Sequence, residues 1–148
     1  MIATREPHEL LSEANAIRYQ ARVKKREVEY LASHFKPEHA GRKKAEAEFD
    51  DLKIRYFAAV QEFCEAACAT QRAILVDAQA AAKALEPVIS AAQKKRDDET
   101  EDPIKWSELD RELYDLRMKA DSLGMQIATA NGAIAYANDL NETAKRGW

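Results

Sequence analysis

Apolar residues recur along this chain in alternating steps of four and three, the spacing that lays a stripe along one helix face and a seam along a coiled coil. From Leu10 the steps reach Ala14, Ile17, Ala21, Lys24, Val28, Leu31 and Phe35, which predicts a helix over residues 7–34 with one polar interruption. A second stripe passes through Ala45, Phe49, Leu52, Tyr56, Ala59 and Phe63, slips by one residue near Ala67, and resumes through Ile74, Ala78, Ala81, Leu85, Val88 and Ala92. That pattern predicts a helix over 37–96 containing a stutter. The third stripe is the most regular: Trp106, Leu109, Leu113, Leu116, Ala120, Leu123, Ile127, Ala130, Ile134 and Ala137 predict a helix over 103–142. No run alternates with the period of two that a half-buried strand requires.

Proline punctuates the same pattern. Pro7, Pro37 and Pro103 stand where the three helices should begin, a position that tolerates the missing N–H. Pro87 falls inside the second stripe, where it removes a backbone hydrogen bond and crowds the preceding turn. A break there or near Thr70 would give four helices instead of three. Unbroken from 37 to 96, the middle helix would extend about 90 Å at 1.5 Å per residue. The expected fold is all-α: one helical domain over 1–148, an elongated antiparallel coiled-coil bundle of three long helices. Lys24, Thr70 and Gln71 are polar positions in the seam, expected to set register or face a cavity, so Lys24→Leu should raise stability unless the lysine has a specific partner.

Composition sharpens this picture. Hydrophobic residues make up 46% of the 148, but 28 of them are alanines, which suits helices packed closely through small side chains. Gly124, Ala128 and Gly132 recur every four residues beside the third seam, widening its apolar face beyond what one neighbouring helix needs. They are predicted to be a helix-packing or self-association face, with either the bundle core or a second copy as the extra neighbour.

The net charge of −3 excludes a general polyanion binder, yet charge is unevenly placed. Asp97, Asp98, Glu99, Glu101 and Asp102 form an acidic connection, continued by Glu108, Asp110, Glu112 and Asp115 with only Lys105 and Arg111 between them. Asp97, Asp98, Glu99, Glu101, Asp102, Glu108, Glu112 and Asp115 are therefore the candidate face for a basic protein partner. The competing account is helix electrostatics, since acids favour the start of a helix and Lys94, Lys95 and Arg96 favour the end of one. Arg18, Arg22, Lys25 and Arg26 form a basic stripe that could meet nucleic-acid phosphates, diluted by Glu27 and Glu29.

Catalytic chemistry finds little to stand on. His8, His34 and His39 make no HExxH arrangement or ExxH pair, and no GxSxG elbow or phosphate-binding loop is present, so neither enzyme activity nor a cofactor is expected. Cys64 and Cys68 lie four apart in a helical stretch, which suits buried thiols better than a disulfide or a metal site. Met1–Glu6 lacks a secretory apolar core, and the uncharged window from Ser122 to Asn138 falls short of the roughly 20 apolar residues of a membrane span. A cytoplasmic protein without a membrane segment is expected. These features favour a noncatalytic interaction module, either an inhibitor of the kind phages encode against host defence or an adaptor. The alternatives are a self-assembling scaffold component and a nucleic-acid-binding helical protein.

Overall fold

The computed structural model describes residues 5–148, and Met1–Thr4 of the opening stretch read for a leader lie outside them. Three helices account for nearly all of the described chain: α1 (Pro7–His34), α2 (Ala40–Asp98) and α3 (Pro103–Lys145). No strand occurs among the described residues, so the fold is all-α. No helix of these residues is long and apolar enough to cross a membrane.

Each helix start has a local cause. Pro7 occupies the first turn of α1, where Glu9 accepts the Glu6 N–H at 3.3 Å. The second helix begins three residues later than its proline suggested. Pro37 instead occupies the second position of a tight turn closed by His39 N–H to the Lys36 carbonyl at 3.0 Å, where its fixed φ is equally useful. His39 then caps α2, its Nδ1 accepting the Arg42 N–H at 3.3 Å. Arg42 ties the turn together by donating to the Phe35 carbonyl at 2.9 Å. Asp102 caps α3, its Oδ1 accepting the N–H groups of Ile104 at 2.9 Å and Lys105 at 3.3 Å.

The middle helix is continuous, as the three-helix reading expects, and the alternative break near Thr70 or Pro87 does not occur. Pro87 lies within the helix, exposed, with α-helical backbone on both sides. The seam does slip near Ala67: beside the buried Phe63 and the partly buried Ala66 and Ala67, covered positions also step through Val60, Cys64, Cys68, Gln71, Leu75 and Ala78, with two successive steps of four at the cysteines. Cys64 and Cys68 are buried without forming a disulfide, their sulfurs 3.9 Å apart, and each thiol donates to Asn138 Oδ1.

The chain divides into two compact units. The first holds residues up to Ala69 together with Ala135–Trp148, so three helical stretches contribute to it. Ala14, Ile17, Tyr56 and Val60 form its buried cluster, flanked by Leu52, Ala59, Leu140 and Ala144. Lys24, the interruption of the first seam, proves to have two partners: its Nζ lies 2.7 Å from both Glu27 and Glu48, linking α1 to α2. Those carboxylates hold the ammonium above its ordinary pKa, and Lys24 in turn holds Glu48 below its own. Phe35 is exposed instead of continuing the seam.

The second unit, Thr70–Ile134, is an antiparallel pair of helical stretches centred on Ala78, Leu109, Leu113 and Ala130. On α2 the covered positions are Gln71, Leu75, Ala78, Ala82, Leu85, Ile89, Ala92 and Arg96. The expected stripe shared Ala78, Leu85 and Ala92 with this set, but Ile74, Ala81 and Val88 face outward. On α3 the expected seam is covered from Leu109 to Ala137 and continues through Asn141 and Ala144. Trp106 is half exposed, with the Arg96 guanidinium 5.7 Å from its ring.

Candidate functional site

The acidic segment runs from Asp97 and Asp98 at the end of α2, through the connection, to the first four turns of α3, and its carboxylates separate into two groups. Arg96, at the end of α2, reaches Asp97 Oδ1 at 3.0 Å and Asp110 Oδ1 at 2.7 Å, joining the two helices. Both carboxylates hold the guanidinium above its usual pKa, Asp110 most strongly. Glu99 folds back on the connection, accepting the backbone N–H groups of Asp102 at 3.0 Å and Glu101 at 3.2 Å. Those bonds to its charged form keep its carboxyl below the usual range, with Lys105 adding at 3.6 Å. With the Asp102 cap, these contacts occupy Glu99 and Asp102 at the start of α3, while Asp97, in the last turn of α2, is held by Arg96.

The remaining acids have no such task. Asp98, Glu101, Glu108, Glu112 and Asp115 are all exposed. Among the described residues none of their carboxylates is engaged in an ion pair or hydrogen bond (Glu101 uses only its backbone N–H). Glu108, Glu112 and Asp115 follow at steps of four and three, so they share one flank of α3 beside the buried Leu109 and Leu113. An open groove of about 560 Å³ runs past Ile104, Ser107, Glu108, Arg111 and Glu112, and Ile104 is 73% exposed at its edge.

Gly124 and Gly132 are exposed, and a Cβ built on either would meet no atom within 4 Å. Ala128 between them is exposed as well. The three residues thus form an open surface strip, and Gly132 is not a close-packing position inside this chain. The physical reason lies in the seam itself: Leu123, Ile127, Ala130 and Ile134 take the contact with α2, leaving the glycine flank turned outward.

Arg18, Arg22 and Lys25 line one cavity of the first unit, and Arg26 is not among its lining residues. The cavity also has Tyr56 and Trp148 in its wall. Trp148 was no part of the sequence-based site, and one local signal points to it. Gly147 follows the last helical turn with φ of 83°, a left-handed conformation that glycine adopts without a Cβ penalty. The chain turns there and brings the Trp148 ring edge-on to Tyr56, with centroids 5.3 Å apart, and to Phe49 at 6.2 Å.

Among the described residues no group of three His, Cys, Asp or Glu is placed to hold a metal ion. Comparison with protein-family models, with curated proteins and with solved structures finds no match to this chain.

Proposed function

We propose that this protein is a noncatalytic interaction module, an inhibitor or adaptor, that docks a basic protein surface through the α3 flank of Glu108, Glu112 and Asp115 together with Asp98 and Glu101. The observation that carries this reading is the division of the acidic segment. Helix capping and the Arg96 bridge account for Asp97, Glu99, Asp102 and Asp110, and leave five exposed carboxylates without an ion pair, with Arg111 the one cation lining the same groove. Clustered like charges repel one another, and a basic partner relieves that repulsion while steering association and register. Ile104 and the exposed Tyr114 supply apolar contact area near the charges, as an interface needs at its centre.

The test is capture from nuclease-treated lysate of the source cells with a tagged chain, washed at moderate salt. A stoichiometric protein with a basic surface should be retained by the wild type and lost from Glu108→Lys/Glu112→Lys/Asp115→Lys. Retention of the same protein by the reversed variant would sink the proposal. So would recovery of the bait alone as a defined multimer, which would move attention to self-assembly through Gly124, Ala128 and Gly132.

A further inference from the structure

The cavity of the first unit has the makings of a second site, independent of the acidic flank. Its volume is about 250 Å³, and it is bounded by Arg18, Arg22, Lys25, Tyr56, Thr143 and Trp148, with no acidic residue in its wall. The three cations follow at steps of four and three, so α1 presents them along one stripe. Among the described residues Arg18 and Arg22 form no ion pair, and Lys25 reaches only Glu29, at the outer limit of 4.0 Å. Lys24 makes the contrast: one residue away, it is neutralised by two carboxylates at 2.7 Å. The same helix satisfies its cation on one side and concentrates uncompensated positive charge on the other.

We infer that this cavity binds a phosphoryl group. Guanidinium forks match phosphate oxygens with paired hydrogen bonds, an ammonium adds a point charge, and two further lining residues, Thr143 and Trp148, carry side-chain donors. A phosphate monoester carries close to two negative charges at neutral pH, enough to offset most of the charge of the three cations, and a nucleic-acid backbone, with one charge per phosphodiester, reaches the same total with two adjacent phosphates. The volume lies below the roughly 300–1,000 Å³ of pockets that enclose a drug-sized ligand, so it accommodates the phosphoryl group and not the whole of a large molecule bearing it. Two sources share this chemistry: a small soluble phosphate compound and the backbone of a nucleic acid.

Trp148 supplies the readout. Trp106→Phe leaves it as the sole tryptophan, and its emission is followed at constant ionic strength while inorganic pyrophosphate or a short single-stranded oligonucleotide is added. A saturable change is expected, with its midpoint raised at least about tenfold by Arg18→Gln/Arg22→Gln, as the loss of two charge-assisted contacts requires. Lys43→Gln, on the exposed start of α2, should leave the midpoint unchanged. Tighter binding of pyrophosphate identifies the small-molecule source, and tighter binding of the oligonucleotide the nucleic-acid one. If circular dichroism shows the double variant unfolded, exposed Arg22→Gln alone takes its place. No saturable change with either probe, or an unaltered midpoint in the arginine variant, would overturn the inference.

Discussion

Removing the Asp102 side chain separates the structural acids from the available ones. In Asp102→Ala the N–H groups of Ile104 and Lys105 lose an acceptor at 2.9 and 3.3 Å, and the start of α3 loses its carboxylate. Loss of an N-cap costs about 1 kcal/mol. Loss of the charge at the helix start adds about 0.5 kcal/mol. A chain of this size loses roughly 2–4 °C in Tm per kcal/mol, so the drop should be about 3–6 °C. Asp102→Asn retains an N-cap acceptor and should fall by only about 1–2 °C, the charge contribution alone. Glu108→Ala/Glu112→Ala/Asp115→Ala breaks no ion pair or hydrogen bond among the described residues, and the three substitutions together should stay within about 0.5 kcal/mol of neutral, a Tm shift of no more than about 1–2 °C. Thermal unfolding followed at 222 nm in low salt reads all three. An unchanged Tm in Asp102→Ala, or an equal drop in the triple variant, would refute the division on which the docking face rests.

Three further outcomes follow from the same contacts. Pro87 is exposed inside α2, so Pro87→Ala should restore a backbone bond and raise urea-measured stability by up to about 3 kcal/mol, whereas a loss would show that the register of the second unit depends on the proline. Asn141 Oδ1 is buried without a hydrogen-bond partner, and Asn141→Leu should add about 1 kcal/mol in the same assay; destabilisation would reveal a partner for that oxygen. The Glu99 carboxyl is depressed by the Asp102 and Glu101 N–H groups, so its contribution is present above its ordinary value of 4.5 and is lost as pH falls through the lower folded-state value. Glu99→Gln should therefore be less stable than wild type at pH 7 by the contribution that wild type loses in acid, so that the two converge at low pH and the acid limb flattens; an unchanged acid limb would count against the contact.

Much of this architecture was legible because its signals are local and periodic. The 4–3 spacing from Leu109 to Ala137 survives intact, since every leucine and isoleucine in that stretch (Leu109, Leu113, Leu116, Leu123, Ile127 and Ile134) falls on one stripe of α3. The second half of α2 misled for the opposite reason. Ile74, Ala81 and Val88 form as apolar a stripe as Leu75, Ala82 and Ile89, so only contact with α3 decides which one is covered. Spacing likewise marks an acidic segment without saying which carboxylates turn back to cap an N–H. The basic stripe at Arg18, Arg22 and Lys25 was visible, but its cavity was not. Tyr56 and Trp148 join it from distant parts of the chain, the latter through a left-handed Gly147 whose φ no periodicity encodes.

Carboxyl labelling of the captured complex tests the docking face most directly, because it reports on the carboxylates themselves. In the free protein Glu108, Glu112 and Asp115 should label readily, being exposed, while Asp110, held by Arg96, labels more slowly. On binding the partner, labelling of Glu108, Glu112 and Asp115 should fall together and that of Asp139 and Glu142, exposed near the end of α3, should not change. Equal labelling of Glu108, Glu112 and Asp115 in free and bound protein would contradict the account.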